Sequence, residues 1–497
     1  MKTNIILLVI SILCLTNNSC ELESKVYDSI NASTYPKTEN DVDALVTEAA
    51  YGAFRNDAYD GIFNVANGIN ILSDLTSDYS ECTWRDRSPL LYGRWTFPWQ
   101  MARIYGYSNW ISKMELTADR IKDVSMDANK LAQYQAELKC GQGWMAFLLY
   151  DAFGPIVIAD LETLKDPLQN KILPRLSDEE MQTYIETRLK EAASVLPYSY
   201  KKGDANYGRF TRGLANMVLL KFYMKTKQWQ KAEAMGRELM DTKYGYSLVP
   251  NYKDIFTLAN EKNAETIWSI NCVKGYQEQY WQPHVLPSDY PSVPLNITKW
   301  GGWKISWPFF HTYDKKDKRL DVICSEYTGT TGLIHNEDND IKTNGNLKYG
   351  ALPIKYEIDP NTVGEKSTID WIIYRYADAL TLLSEAIVRN HNVVTQEAVD
   401  LLNKIRTRAG LDAYSLNDFK SVDDFLDKLL LERGHEFFYE GCRRQDLIRH
   451  GKYVEYMKEK CETLGESTLI NKNMELWPLP QNVIDEGKGA IVQNPGY

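Results

Sequence analysis

Three stretches of the C-terminal third decide the fold: Tyr374–Ala386, YRYADALTLLSEA; Leu401–Leu411, LLNKIRTRAGL; and Glu432–Arg449, ERGHEFFYEGCRRQDLIR. Apolar residues recur in them at intervals of three and four, which predicts amphipathic helices. Their charged residues are spaced to form ion pairs between the helices, and such pairs fix geometry more than they add stability. These predicted partners are Glu385, Arg406, Arg408, Glu432, Arg433 and Glu436.

The same periodicity extends outward from these stretches over much of the chain. It predicts helices at about 99–123, 129–152, 178–196, 210–227, 229–241, 372–390, 395–409, 422–440 and 442–463. Two pairs of them are joined by short polar turns, and such helix–turn–helix units resemble tetratricopeptide repeats. The expected fold class is therefore mainly α, a tetratricopeptide-like scaffold of helical pairs with long loops and a few short strands.

Two regions lack the helical pattern and are expected to be loops mounted on this scaffold. Residues 242–368 are rich in Gly, Pro, Asn, Tyr and Trp, and contain short β-like runs such as Thr266–Ile270. Binding sites are concentrated in long loops on rigid supports. We expect one body over residues 39–497, with loop-rich ligand-binding insertions at about 65–98 and 242–368.

The N-terminus carries an export signal. Lys2 precedes the apolar run Ile5–Leu15, which is too short to span a bilayer and is typical of a signal peptide. Ser19 before Cys20 suits cleavage by a lipoprotein signal peptidase, which predicts a signal over 1–19, lipidation of Cys20 and a flexible tether over 20–38. The alternative is ordinary secretion with Cys20 unmodified.

The composition excludes some classes of partner. The formal net charge is −10, whereas binding to nucleic acid requires a basic face. The acidic balance also weighs, more weakly, against a strongly acidic polysaccharide. The six cysteines beyond Cys20 are scattered without the spacing of a metal site, so we expect mostly buried free thiols, no metal and no cofactor.

Clustered tryptophans are the feature most informative about function. One window holds Trp84, Trp95 and Trp99, and a second runs from Trp281 to Trp307. An indole offers a broad apolar face on which the C–H surface of a sugar can lie, while polar neighbours bind its hydroxyls. For any single Trp, core packing is the commoner role, and we expect it for Trp95 and Trp99, which flank Pro98. The predicted ligand-binding residues are Asp78, Trp84, Arg85, Tyr280, Trp281, Trp300 and Trp303.

Evidence for catalysis is weak. Asp74 and Asp78 are four residues apart and could present paired carboxylates for glycoside hydrolysis, but this spacing is frequent by chance. The chain has no phosphate-binding loop, no dinucleotide-binding glycine pattern and no HExxH motif. We therefore predict no catalytic residues.

Further motifs connect the chain to a known family. Besides the three C-terminal stretches, they include Gly208–Gly213 (GRFTRG), Trp477–Pro480 (WPLP) and Gln493–Tyr497 (QNPGY). Together they resemble the SusD/RagB family of outer-membrane glycan-binding lipoproteins. Acidic residues just after Cys20 resemble the export signal of surface lipoproteins in Bacteroidetes.

The resemblance implies capture of a glycan without catalysis. It implies a lipid-anchored protein on the outer face of the outer membrane, which binds an oligosaccharide or polysaccharide and delivers it to a partner, a SusC-like TonB-dependent outer-membrane transporter. In this family the ligand surface is built by variable loops, which share no motif that transfers residue by residue. The ligand-binding residues named above are therefore inferred from the chemistry of their side chains. The alternatives are a protein of the same fold that captures peptide or another nutrient, and, least favoured, a glycoside hydrolase.

Overall fold

The computed structural model describes residues 35–57, 60–166, 168, 171–294 and 296–497. The predicted signal peptide, Cys20 and most of the tether over 20–38 lie outside the described residues.

Helices make up most of the regular structure. In chain order the α-helices are α1 Glu39–Val46, α2 Ile69–Leu75, α3 Ser88–Leu91, α4 Trp99–Gly106, α5 Asn109–Ile121, α6 Ala128–Phe153, α7 Leu161–Lys165, α8 Asp178–Val195, α9 Arg212–Lys225, α10 Trp229–Leu239, α11 Trp281–Val285, α12 Trp307–Phe310, α13 Glu337–Thr343, α14 Tyr376–His391, α15 Gln396–Arg408, α16 Val422–Glu436, α17 Arg443–Arg449, α18 Tyr453–Thr463 and α19 Gln481–Glu486. A π-helix, Thr47–Tyr51, follows α1 directly.

The long helices pack against one another largely in chain order. Helix α5 packs on α6, α6 on α8, α8 on α9, α9 on α10, α10 on α14, and α14 on α15. The predicted helical pairs α9–α10 and α14–α15 are therefore members of one continuous layer. The expected fold class, mainly α with tetratricopeptide-like pairs, is confirmed.

Local sequence explains where these helices begin. The side chains of Thr211 and Thr395 accept hydrogen bonds from the amides of Leu214 and Ala398, which satisfies amide groups that a helix N-terminus leaves without partners. Asp127 caps α6 in the same way. The pairs begin at defined residues for this reason.

The strands are short and form three two-stranded antiparallel sheets among the described residues. They are β1 Ser80–Cys82, β2 Thr266–Ile270, β3 Trp303–Ile305, β4 Glu326–Thr328, β5 Ile334–Asn336 and β6 Trp371–Arg375, paired as β1–β3, β2–β6 and β4–β5. The β-like run Thr266–Ile270 is thus a strand.

Three predicted helices differ from the observed elements. Residues 372–375 belong to β6, because Ile372, Tyr374 and Arg375 pair with β2, and β-branched and aromatic residues favour strands. The predicted helix 99–123 is divided into α4 and α5, and 442–463 into α17 and α18, where Gly451 has a φ of 72°. That left-handed conformation ends a helix.

The predicted ion pairs between helices are present and buried. The carboxylate of Glu436 lies 2.5 Å from Nη1 of Arg375 and also contacts Arg408 and Arg319. Burial alone would raise the pKa of Glu436, but Arg408, Arg375 and Arg319 together lower it to about 2. This cluster joins β6, α15 and α16.

The remaining predicted partners extend the network. Arg406 Nη1 lies 2.8 Å from Glu432, Arg433 Nε lies 2.8 Å from Asp446, and Arg449 lies 2.7 Å from Glu385. Each of these contacts joins two helices.

Two features of the body concern its cysteines and the character of its helices. Its six described cysteines are unpaired and, apart from the partly exposed Cys324, buried, as expected. Over the described residues, none of the helices has both the length and the apolar character needed to cross a membrane.

Candidate ligand-binding site

Strands β1 and β3 bring the two tryptophan windows together. Cys82 pairs with Trp303 and Ser80 with Ile305, and the amide of Thr83 donates to the carbonyl of Gly302 at 2.9 Å. Trp84, at the end of this ladder, is thereby placed beside the second window. The two predicted loop insertions meet at this point.

Four rings form an aromatic cluster there: Trp84, His284, Trp300 and Trp303. The Trp84 ring lies edge-on to Trp303, with centroids 4.9 Å apart, and edge-on to His284 at 5.5 Å. His284 is stacked on Trp303 at 5.7 Å and meets Trp300 edge-on at 5.0 Å. His284 therefore contacts all three tryptophans.

The outer and inner rings of the aromatic cluster differ in exposure. Trp84 and Trp300 are partly exposed, whereas His284 and Trp303 are buried. The cluster therefore offers indole surface to solvent at two positions, supported from beneath by packed rings. We call these two exposed indoles the Trp84–Trp300 surface.

A glycine allows Trp84 to lie where it does. A Cβ atom at Gly302 would stand only 2.6 Å from Cη2 of the Trp84 ring. That distance is shorter than any ordinary contact, so a side chain at position 302 would displace the indole. The backbone of Gly302 thus supports one side of Trp84.

His284 is neutral at physiological pH. Its Nδ1–H donates to the carbonyl of Tyr280 at 2.8 Å, and burial lowers the pKa of His284 to about 4. The Trp84–Trp300 surface accordingly rests on an uncharged ring.

Arg85 follows Trp84 in the chain and is exposed. Its guanidinium lies 4.5 Å from the centroid of the Tyr349 ring and 3.3 Å from the carboxylate of Glu466. Partly exposed Tyr349 was not identified from the sequence, because it lies in neither tryptophan window. Arg85 and the Tyr349 ring next to its guanidinium supply polar groups at the end of β1 that carries Trp84.

Three predicted ligand-binding residues, the stacking Trp281 and Trp303 and their polar neighbour Tyr280, are buried, which corrects their expected place on the exposed ligand surface. Trp303 is 0% exposed, Trp281 1% and Tyr280 5%. Trp281 packs on Trp371 and Tyr439, with centroids 5.5 and 5.4 Å away, so protein rings occupy its surroundings. These residues support the site from within.

Trp281 nevertheless lines a cavity of about 270 Å³. Tyr356 and Tyr290 add aromatic lining, while Gln282 and Glu357 add polar groups. The Gln282 amide donates to the carbonyl of Glu357 at 2.7 Å, and its Oε1 has no hydrogen-bond partner within the described part of the chain. The cavity combines apolar walls with an acceptor that is free to bind a hydroxyl.

Asp78 does not belong to the ligand surface. Its two carboxylate oxygens accept from Nε and Nη2 of Arg443 at 2.8 and 2.7 Å. A carboxylate held by both nitrogens of an arginine fork has little capacity left for a ligand. The prediction for Asp78 is therefore corrected to a structural ion pair.

Asp74 and Asp78 do not form an open pair of carboxylates. Asp74 is fully buried and accepts from the amide of Gly441 at 2.8 Å, and burial raises the pKa of Asp74 to about 8. Since Asp78 is bound to Arg443, neither carboxylate is placed to act on a glycosidic bond.

Trp95 and Trp99, the two tryptophans predicted to pack in the core, differ in exposure. Trp95 is 5% exposed and its Nε1–H donates to the hydroxyl of Tyr497 at 3.3 Å, as core packing requires. Trp99 is 58% exposed, which corrects the prediction. It is the first residue of α4, and the buried side of that helix begins one residue later, at Gln100.

No metal site accompanies these residues in the described part of the chain, where no three His, Cys, Asp or Glu side chains are grouped to hold an ion.

Comparison with known proteins identifies the same architecture elsewhere. Residues 275–497 match the model of the SusD family. A SusD homolog of Bacteroides thetaiotaomicron superposes with a TM-score of 0.78 at 20% identity, covering 94% of this chain and 98% of that one. The surface glycan-binding protein A of the same species, solved with laminarihexaose, has a TM-score of 0.74 at 20% identity, covering 92% and 100%. At these identities the structures establish the shared fold.

Curated relatives agree with the family model. The SusD-like protein P25 of Formosa agariphila is 25% identical over 320 residues, 58% of each chain. The starch-binding protein SusD of B. thetaiotaomicron is 20% identical over 438 residues, 75% of this chain and 74% of its own. The chain spans less than two thirds of the length of the first two curated relatives, 58% and 59%.

The fold and the site thus define a helical-pair scaffold whose loops carry a cluster of aromatic rings. Residues 275–497 carry the match to the SusD family, and the fold resembles that of solved SusD-like structures.

Proposed function

We propose that this protein captures a glycan at the cell surface by stacking sugar rings on Trp84 and Trp300. The observation that carries the proposal is the Trp84–Trp300 surface itself, in which two indoles from distant parts of the chain are partly exposed around the neutral ring of His284. Indole faces suit the C–H surface of a sugar, and their rigid support keeps the entropic cost of binding low.

The groups beside the indoles suit the hydroxyls of a sugar. Arg85 can donate N–H groups and the hydroxyl of Tyr349 can donate or accept. Neighbouring Glu81 and Glu466 lie within ion-pair distance of Arg85 and balance its charge. An uncharged glycan therefore fits this surface better than a strongly acidic one.

The relatives support carbohydrate as the class of ligand. One neighbour is described as a surface glycan-binding protein in complex with laminarihexaose, and another as a laminarin-binding SusD-like protein. A curated relative is named as a starch-binding protein. Laminarin and starch are accordingly the first polysaccharides to test.

Capture is proposed to serve uptake through the membrane. In this proposal lipidated Cys20 anchors the protein to the outer membrane, facing the exterior. Residues 20–38 form the tether, and the single body over 39–497 passes its ligand to a SusC-like TonB-dependent transporter. No bond in the glycan is broken, which is supported by the commitment of Asp74 and Asp78 to internal contacts.

The test is affinity electrophoresis of residues 21–497 in gels containing laminarin, starch or other polysaccharides. The wild type is compared with the double variant Trp84→Ala, Trp300→Ala. The control is Trp229→Ala, a partly exposed tryptophan at the start of α10 whose ring faces Arg389 in the helical scaffold.

We expect one or more polysaccharides to retard the wild type and the control equally, and to retard the double variant much less. Equal retardation of all three proteins would exclude the Trp84–Trp300 surface as the site. Retardation by no polysaccharide, together with binding of a peptide library, would favour the alternative of a peptide-capturing protein of the same fold.

A further inference from the structure

A groove on another part of the molecule has the size of a ligand site. It lies between the π-helix Thr47–Tyr51, the loop 207–209, the end of β2 and the turn that contains Gln277, and encloses about 360 Å³. That volume is within the range of small-molecule sites, roughly 300–1,000 Å³. The groove shares no lining residue with the aromatic cluster or with the cavity at Trp281.

One side of the groove is apolar and rigidly held. Phe54 is stacked on Trp144 with centroids 4.3 Å apart, and Trp268 meets the same Trp144 edge-on at 5.0 Å. The Nε1–H of Trp268 donates to the carbonyl of Gly208 at 3.0 Å, which fixes the indole in the groove wall. Because these rings cannot easily shift, the groove is preformed.

The polar lining has unmet hydrogen-bonding capacity. The Asn271 amide donates to the carbonyl of Tyr207 at 3.0 Å, which orients the side chain, but its shielded Oδ1 has no partner among the residues that the structure describes. In the same described ranges, Arg55 Nε also lacks a partner, although its Nη2 pairs with Asp60. A shielded acceptor without a partner is unfavourable, so a ligand hydroxyl that donates to it would be favoured.

The charges that line the groove are balanced from within the protein. Arg209 lies 2.8 Å from Glu137 and 2.9 Å from Asp43, Arg55 pairs with Asp60, and Glu48 pairs with Lys113 at 2.7 Å. An anion or cation entering the groove would therefore lose hydration without gaining a free counter-charge. The lining favours an uncharged ligand with several hydroxyls and an apolar face.

We propose that this groove binds a neutral sugar residue, as a second carbohydrate site separate from the Trp84–Trp300 surface. The choice of carbohydrate rests on the proposed function, whereas the location rests on the groove alone. A second site would allow one glycan chain, or two, to be held at two points, which raises the overall avidity.

The test follows the indole N–H resonances of the mature chain by NMR during titration with neutral oligosaccharides. The probes are laminarihexaose, maltohexaose and cellohexaose, with hexagalacturonate as the acidic comparison. Trp268 reports on the groove, and Trp84 and Trp300 on the Trp84–Trp300 surface, each resonance being assigned by its Trp→Phe variant.

Two sets of variants separate the sites. Thr47→Phe fills the groove from an exposed lining position, and Ala44→Phe adds the same bulk at an exposed position of α1 outside the lining. The double variant Trp84→Ala, Trp300→Ala disables the other site.

We expect a neutral oligosaccharide to shift the Trp268 resonance in the wild type, in Ala44→Phe and in the double variant, and to bind about tenfold more weakly or worse in Thr47→Phe. Shifts of Trp84 and Trp300 without a shift of Trp268 would overturn the groove proposal and leave the proposed function intact. A shift of Trp268 that Thr47→Phe does not weaken, a response to hexagalacturonate alone, or no response to any probe would also overturn it.

Discussion

Cys82 lies opposite Trp303 in the antiparallel pair of strands β1 and β3. This pairing of only three residues per strand places Trp84 against the backbone of Gly302 and within contact of His284. The candidate site therefore depends on a long-range pairing, because neither tryptophan window forms the aromatic cluster by itself.

The close approach of Gly302 to Trp84 predicts the effect of a single methyl group. Gly302→Ala should displace the Trp84 indole and weaken glycan binding about tenfold, with little change in melting temperature. The matched control is Gly106→Ala at the end of α4, where the added Cβ has no described heavy atom within 4 Å apart from its own helix backbone and its neighbours in the chain. Calorimetric titration with glycan measures the affinity of the two variants. Wild-type affinity in Gly302→Ala would show that the position of Trp84 is unimportant for glycan binding.

Trp303 is buried and Trp84 is partly exposed, so truncating them to alanine should lower the free energy of unfolding by different amounts. Trp303→Ala removes a fully buried ring from beneath the site and should lower the free energy of unfolding by about 3–5 kcal/mol. Trp84→Ala should cost clearly less, because its ring is partly exposed. Urea denaturation followed by circular dichroism compares the two, and equal costs would contradict the assignment of Trp303 to the core.

The buried ion network predicts that a nearly isosteric substitution of Glu436 greatly lowers the free energy of unfolding. Glu436→Gln leaves Arg375, Arg408 and Arg319 without their shared carboxylate and should cost about 3–5 kcal/mol of unfolding free energy. Glu397→Gln, which removes one of the two carboxylates paired with half-exposed Arg237, should cost less than about 1 kcal/mol. Chemical denaturation distinguishes them, and a cost for Glu436→Gln as small as that of the surface change would disprove its stabilising role.

Asp74 predicts a specific dependence of stability on pH. Its pKa is about 8 in the folded protein, because of burial, and about 4 in an unfolded chain. Below pH 4 both states hold the proton; as pH rises toward 8 only the unfolded state releases it, so this residue lowers the free energy of unfolding by about 1.4 kcal/mol per pH unit.

Asp74→Asn should abolish that contribution while keeping the acceptor for the amide of Gly441. The difference in unfolding free energy between the variant and the wild type should therefore grow from pH 4.5 to pH 8. Urea titrations at several pH values measure it, and parallel curves for the two proteins would mean that Asp74 is ionised in the folded state.

Much of the scaffold could be predicted from the sequence, because its helices repeat apolar residues every three or four positions and begin at capping residues such as Thr211 and Thr395. The interhelical ion pairs followed from the same periodicity. The failures arose where long-range contacts override local preference. Residues 372–375 form a strand only because β2 lies beside them.

The site was predicted in part. The types of residue and the two windows were identified, but the exposure of each ring depends on packing that spacing along the chain does not determine. In β3, Trp303, Lys304 and Ile305 are all buried, so the alternation that normally distinguishes the two faces of a strand is absent. His284 and Tyr349 gave no signal in sequence, since the contact of His284 with Trp84 and that of Tyr349 with Arg85 arise only from folding.

The most direct test of glycan capture is a calorimetric titration with the polysaccharide that retards the wild type most in affinity gels. If the two indoles hold the glycan, Trp84→Ala, Trp300→Ala weakens binding by about tenfold or more, while Trp229→Ala binds like the wild type and all three proteins melt cooperatively. Unchanged affinity in the double variant would show that Trp84 and Trp300 do not hold the glycan.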